Sequence, residues 1–502
     1  MSEPSADRRA RWLFPLIVII YLILGTLYAV FTPAWQAPDE PAHYNYVQYL
    51  AEQHRFPVLK PGDYPAAYLE EIKTAHFPPE LSIAPIRYEF HQPPLYYILV
   101  VPVYSLFDSF NIGNALLPLR LLSVAMGALL LLVVQWTIQA LAPNRPYLAL
   151  GTTAFVAFLP MHLAMTASVN NDTLSELLMA IVLLLTIRYL KRSASVPSGK
   201  GDSRLLLLLG ITTGLCLVTK SSLYIVLPLV LIAIAIRHLW LDRPAPPFTA
   251  TVKSAVLYLL PAIGLALPWW LRNIAVYGGL DFLGLGRHEQ VVAGQLRTAD
   301  LIAQHGPGEL IRAFFLTSFR SFWGQFGWMG VLLDERIYQA LAILSALALI
   351  GFLIWLIRAW QHRAQVPAWQ WAAGGLLALA GLFTLVSYLW YNISFVQHQG
   401  RYLFRALVPI GLIVALGWRE SLRRDRAWLM ATSLLIGALI LRLWDVLPNW
   451  PLLMLGLTII ALAIRRFLPK SWDPIVHTVP YIVLILLDLI SLFLFIVPQL
   501  AS

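Results

Sequence analysis

A chain of 502 residues that is 59% hydrophobic and only 12% charged is no soluble globular domain; its composition is that of a polytopic membrane protein. The net charge of +10 raises nucleic acid as a partner, but the basic residues fall in short clusters between apolar runs. That pattern belongs to membrane topology, so no nucleic-acid partner is expected. The one cysteine, Cys216, lies in an apolar run, which excludes an intrachain disulfide framework and a cysteine metal site.

In chain order, Arg8, Arg9 and Arg11 precede a first apolar run from Trp12 to Phe31. The run is long for a signal peptide and reads as an uncleaved anchor with the N-terminus cytoplasmic. Next comes Pro38-Asp39-Glu40-Pro41-Ala42-His43-Tyr44, where the chain leaves the membrane. Two adjacent carboxylates at a membrane boundary are partly desolvated, so they either find partners or do chemistry. If Pro41 opens a helix, Asp39 sits at its start and His43 one turn on; an acidic helix cap is the bland alternative.

Thirteen runs are each long enough to span a bilayer, beginning near Trp12, Leu117, Pro146, Thr173, Leu205, Leu223, Ser254, Ile337, Trp369, Leu403, Ala427, Trp450 and Ile475. Five basic clusters then fall on one side, expected to be cytoplasmic. They are Arg188/Lys191/Arg192/Lys200/Arg204, Arg237/Arg243/Lys253, Arg358/Arg363, Arg419/Arg423/Arg424/Arg426 and Arg465/Arg466/Lys470. Ser193–Ser203 reads as a polar turn on that side, and Ser502 falls on the other. Counting Pro94–Phe110 as a span would reverse every later loop, so it is expected to lie on or dip into the outer face, with Tyr96, Tyr97 and Tyr104 suited to the interface. The expected organisation is therefore all-α. It has a cytoplasmic tail and first span (1–31), a first outer segment (32–116) and a transmembrane core (117–276). A second outer loop (277–336) and C-terminal spans (337–502) complete it.

Ionisable groups from six separated segments converge on the outer membrane boundary: Asp39 and Glu40; His91; Asn171 and Asp172; Lys220; Arg272; and Arg401 with Tyr402. Taken singly, Lys220 could snorkel, Asp172 could cap a helix, and Arg272 or Arg401 could anchor a span. Together they suggest basic groups for a phosphate or pyrophosphate (Lys220, Arg272, Arg401, with His91 and His43) and carboxylates, Asp39 and Glu40, for general-base work. Trp12, Trp35, Tyr96, Trp269, Trp270, Trp323 and Trp328 fit an aromatic belt better than a sugar platform. The stretch from Ser318 to Trp328, which includes Trp323 and Gln325, reads as an interfacial helix or a substrate-lining loop. His43, Asp39 and Glu40 are weak candidates for a divalent metal, and no other cofactor is expected. No nucleotide-binding fingerprint is present. Asp488, alone in the last run, is the residue that favours a transporter or lipid-sugar flippase instead.

The order of motifs is informative. A first span followed by Asp39-Glu40 leads to an outer loop ending in His91-Gln92-Pro93-Pro94-Leu95-Tyr96, then Asn171-Asp172, then Gly214-Leu215 through Thr219-Lys220. This resembles the GT-C superfamily of membrane glycosyltransferases, near the protein O-mannosyltransferase and lipid A aminoarabinose transferase branch. Phe322 to Trp328 and Gln399-Gly400-Arg401-Tyr402-Leu403 also resemble an uncharacterised bacterial membrane family beside that branch. The resemblance runs to about residue 405. It implies a polyprenyl-phosphate sugar donor and inverting transfer to a glycan, lipid or protein acceptor outside the cytoplasm, from the inner (plasma) membrane. It also implies Asp39 as general base, Lys220 and His91 near the donor phosphate, and Asp172 paired with the lysine. Asn171, Tyr402, Gln325 and Trp323 would support the site. Pro41-Ala42-His43 replaces an arginine that some relatives use on phosphate, which leaves His43 as the candidate there.

Overall fold

The computed structural model describes residues 3–109, 115–192, 200–242, 244–443 and 449–501. Most of the expected turn at Ser193–Ser203, together with Arg243 and Ser502, lies outside them. The first helix, α1 (Glu3–Phe31), leads to a short loop and to α2 (Glu40–Gln53), whose first turn carries a proline. Then come α3 (Ala66–Thr74), a 3-10 turn at Tyr88–His91, and α4 (Leu95–Ser109). The next block is α5 (Leu116–Leu141), α6 (Pro146–Ala157), α7 (Pro160–Thr166), α8 (Asp172–Arg192), α9 (Lys200–Leu217), α10 (Val226–Ile236) and α11 (Phe248–Tyr277). Outside it follow α12 (Leu285–Val291), α13 (Thr298–Trp323) and a small antiparallel hairpin, β1 (Gln325–Phe326) with β2 (Val331–Leu332). The chain ends in α14 (Glu335–Gln361), α15 (Ala368–Ser394), a 3-10 turn at Gly400–Ala406, α16 (Leu407–Ser421), α17 (Ala427–Leu443), α18 (Asn449–Arg465), α19 (Asp473–Ile490), a π turn at Ser491–Ile496 and α20 (Val497–Leu500).

All thirteen apolar runs fall on helix, and the described residues contain nine helices long and apolar enough to cross a membrane. The number becomes ten if α6 and α7 form one span bent by 66°. The bend has a local cause: Leu159, before Pro160, is extended, as a residue preceding proline tends to be. Among the described residues, nine or ten of the thirteen expected spans are long enough to cross by helix length. The apolar part of α4, Leu95–Phe107, is among the short helices. At 1.5 Å per residue it reaches about 20 Å, short of a ~30 Å hydrocarbon core. Its tyrosines are not interface anchors. Tyr96, Tyr97 and Tyr104 are buried against the neighbouring helices, and Ile98, Leu99 and Leu106 face outward instead.

Members of four of the basic clusters lie at one end of the bundle. Arg358 and Arg423 both pair with Glu420, Arg424 donates to the Arg466 carbonyl, and Lys191 sits over the Trp369 ring. The ionisable groups singled out above gather elsewhere, where α1 and α7 give way to loops and α8 and α16 begin.

Candidate active site

The loop from Thr32 to Asp39 is held by one arginine. Arg120, near the start of α5, donates to the carbonyls of Ala29 (3.0 Å), Thr32 (2.7 Å) and Pro33 (3.1 Å). The same guanidinium forks onto Glu40, at 2.8 Å and 2.6 Å. Glu40 is fully buried and also accepts from the backbone N–H groups of Trp35 and Val169. Both its oxygens are thus committed, and the expectation of a catalytic Glu40 does not fit this geometry. Opposite, the Trp328 indole donates to the Trp35 carbonyl at 2.9 Å, so the hairpin of the second outer segment pins the same loop. Clamped from both sides, Asp39 adopts left-handed backbone (φ 68°), a region that Asp and Asn tolerate better than other side chains.

The Asp39 side chain is one-quarter exposed and has two partners. Its Oδ2 lies 2.6 Å from Arg401 Nη2, and its Oδ1 accepts from the Tyr88 hydroxyl at 2.8 Å. Arg401 is delivered by a close backbone approach. The N–H of Gly400 donates to Ser321 Oγ at 2.7 Å, and any Cβ at Gly400 would fall 2.3 Å from the Ser318 carbonyl oxygen. Only glycine lets the 3-10 turn lie so close to α13, which explains why the Gly400-Arg401 pair faces the Ser318–Trp328 stretch.

A second ion pair stands beside the first: Lys220 Nζ to Asp172 Oδ1, 2.6 Å. Asp172 is not the cap of α8; Asn170 is, accepting from the N–H groups of Asp172 and Thr173 and leaving the carboxylate free for Lys220. Three sequence motifs bond to one another here. The N–H of Leu95 donates to the Val218 carbonyl, and Asn171 Nδ2 reaches both Gln92 Oε1 and the Thr219 carbonyl. The motifs that looked separate along the chain thus form one hydrogen-bonded knot around Asp39, Asp172, Lys220 and Arg401.

Burial works to raise the Asp39 carboxyl, but Arg401, His43 and the Tyr88 hydroxyl outweigh it and hold Asp39 below the usual carboxylate range. His43 is buried one turn on, its Nδ1 2.8 Å from the Tyr97 hydroxyl, and burial keeps its ring neutral despite Glu89 and Asp39 nearby. Glu89 is shifted the other way. Burial, with the Asp39 charge added, raises its carboxyl, and its Oε2 has no hydrogen-bond partner. His91 is pushed down to about 4 by burial, and its Nδ1 faces the Tyr88 carbonyl at 3.0 Å. With Nδ1–H donating there, a neutral His91 offers only an acceptor at Nε2, which is the wrong polarity for a phosphate. Its ring instead lies 4.4 Å from that of His288 on α12.

The other expected residues are placed as follows. Arg272 donates to the Pro57 carbonyl and to Asn273 Oδ1, and lies over the rings of Trp269 and Tyr277. Tyr402 lies beside Arg401, with Tyr388 and Tyr391 against its ring. Trp323 is buried edge-on to Phe155 and Phe322, which packs the end of α13 against α6, and Gln325 braces the hairpin by donating to the Met329 carbonyl. Among the described residues no three His, Cys, Asp or Glu side chains converge as a metal cage. The expected trio does not form one, because Glu40 turns to Arg120. Arg120, Tyr88 and Glu89 were missed as site residues. Arg120 had a signal, a lone charge inside an apolar run; Tyr88 had none.

No family model and no curated protein matches the chain. Solved structures do. The oligosaccharyltransferase of Archaeoglobus fulgidus, tethered to an acceptor peptide, superimposes with a TM-score of 0.50 at 12% identity, over 93% of this chain and 55% of that one. ArnT from Cupriavidus metallidurans, in the apo state, gives a TM-score of 0.50 at 12% identity, over 97% of this chain and 77% of that one. The chain thus spans little more than half the length of the oligosaccharyltransferase. At these identities the likeness is one of fold: this is a multi-pass membrane protein of the GT-C fold, as the order of motifs suggested.

Proposed function

We propose that the protein transfers a sugar from a polyprenyl-phosphate carrier to an acceptor hydroxyl or amide at the membrane surface. The observation that carries this reading is the pair of ion pairs, Asp39–Arg401 and Asp172–Lys220, each at 2.6 Å. They put an ionised carboxylate beside basic groups able to receive a phosphate, at the edge of a membrane bundle. The acceptor oxygen or nitrogen forms a bond to the anomeric carbon while the carbon–oxygen bond to phosphate breaks. The bonding electrons leave with the phosphate oxygen, and the acceptor proton passes to Asp39. Attack opposite the leaving phosphate inverts the anomeric centre. A phosphate arriving at Arg401 competes with Asp39 for the guanidinium, which frees the carboxylate and makes it a better base when the donor is bound. Glu40 and Arg120 hold the loop and do not touch substrate. The phosphate ligands are Lys220 and Arg401, with Arg272 at the rim; His43 and Tyr402 line the approach.

A transporter of lipid-linked sugars has one observation in its favour, Asp488, buried in α19 with both carboxylate oxygens unpartnered. The other ionisable groups of interest cluster around Asp39 instead.

The test is release of free polyprenyl phosphate from a panel of polyprenyl-phosphate sugars by purified protein. Loss of a general base costs about 10²–10⁴-fold, so Asp39→Asn should release that much less when assayed below its own melting temperature, where it is still folded despite the lost pair with Arg401. Undiminished release from the variant would sink the assignment of Asp39.

A further inference from the structure

Arg405 closes the 3-10 turn that begins at Gly400 and carries Arg401. It is only 6% exposed, and its Nε has no hydrogen-bond partner. Among the described residues no carboxylate forms an ion pair with it. Its nearest charged neighbours, Asp172 and Glu176, are already engaged: Asp172 with Lys220 at 2.6 Å, Glu176 with His162 at 2.7 Å. A buried carboxylic acid without a partner escapes the cost by taking up a proton. An arginine has no such escape, because its guanidinium stays charged. Burying that charge unpaired is expensive, and a position of this kind persists where something outside the chain compensates it.

The surroundings indicate what that is. Lys220, Arg401 and Arg405 all act on Asp172, three cations around one carboxylate. Asp39 answers Arg401 and Asp172 answers Lys220, which leaves Arg405 as the cation without a close counter-ion. We infer that Arg405 is the inner ligand of the carrier phosphate, which lies between Arg405 and Lys220. This rests on the lipid-phosphate reading above and adds its depth. Four residues of 3-10 helix rise about 8 Å, so Arg405 would meet the phosphate from deeper in the turn, while Arg401 meets it from the side of Asp39. The placement has a chemical consequence. The donor is a phosphodiester with one negative charge, and the leaving group is a monoester that approaches two. A guanidinium fixed in a low-dielectric site stabilises the charge as it develops.

The experiment compares wild type, Arg405→Gln and Arg405→Lys in detergent, each titrated with undecaprenyl phosphate, undecaprenol and inorganic phosphate. Binding is followed by thermal shift. Wild type should respond to undecaprenyl phosphate well below the concentrations at which undecaprenol or inorganic phosphate acts. Arg405→Gln should weaken the undecaprenyl phosphate response tenfold or more, and Arg405→Lys by less, since lysine keeps the charge but loses the fork. Without ligand, Arg405→Gln should melt at or above the wild-type temperature, because it removes an uncompensated buried charge. A structural arginine would give the opposite sign. Undiminished undecaprenyl phosphate binding by Arg405→Gln, or a ligand-free protein that melts well below wild type, overturns the inference and leaves the lipid-phosphate reading standing. A wild type that does not distinguish undecaprenyl phosphate from undecaprenol overturns both. A response to inorganic phosphate alone assigns the site to free phosphate and overturns the lipid version.

Discussion

The two long segments outside the apolar runs, residues 32–93 and 277–336, differ in what they do with part of their charge. Both carry exposed charges, such as Glu70, Glu71 and Arg87 in the first, but the first also buries Glu40, His43, Glu89 and His91, each 9% exposed or less. The second leaves its charges at the surface, in pairs such as Arg297–Glu289 and Arg312–Glu309 with all four side chains more than 40% exposed. Its contribution to the site is mechanical, through Trp328 on the Trp35 carbonyl and Ser321 on Gly400. Loop length alone pointed equally at both. Burial of charge separates them, because a desolvated ion must be answered by a partner or a substrate and a solvated one need not be.

The contrast breaks most severely at Arg120. Arg120→Met strands the Glu40 carboxylate in the dry interior and should cost about 3–5 kcal/mol of stability, read from denaturant unfolding in detergent. A loss under about 1 kcal/mol would mean that Glu40 is not held as described. Lys220→Met should cost less, about 1.5–3 kcal/mol, because the pair with Asp172 keeps some access to solvent. Adding Asp172→Asn should recover most of that stability but not donor turnover, which separates the pair's structural role from the role on phosphate proposed for it.

Smaller still are the effects read against pH. Asp39 is held low, so its contribution to stability is present above its unfolded pKa and is lost only as pH falls through the lower folded value. The acid limb of kcat/KM assigned to Asp39 should therefore lie below about pH 4, and a midpoint near 6 would point to another group. Glu89 has the opposite sign. Its folded carboxyl is raised, so its contribution is present below its unfolded pKa and is lost as pH rises through the folded value. Glu89→Gln should leave the melting temperature unchanged near pH 4 and raise it near pH 8. The smallest effect belongs to the second segment, where Glu309→Ala should change stability by no more than about 0.5 kcal/mol. A larger loss would erase the difference between the two segments.

Much of this was legible in sequence because hydropathy is local. All thirteen runs fall on helix, and Asp39, Asp172, Lys220 and Arg401 do converge. What hydropathy does not encode is which partner each charge finds. Glu40 looked as catalytic as its neighbour until Arg120, eighty positions away, took both its oxygens. Tyr96, Tyr97 and Tyr104 read as interface residues because composition cannot tell which side of a short helix packs inward.

The left-handed backbone at Asp39 has a bearing on how this position can vary. That conformation disfavours most side chains with a Cβ by about 1–2 kcal/mol, and spares glycine, asparagine and aspartate. Glutamate carries the same charge but does not share that tolerance. The backbone at this position therefore favours the shorter of the two acids. Among the residues that the turn tolerates best, aspartate alone brings a carboxylate, so drift at this site trades away the charge that meets Arg401 more readily than the backbone turn.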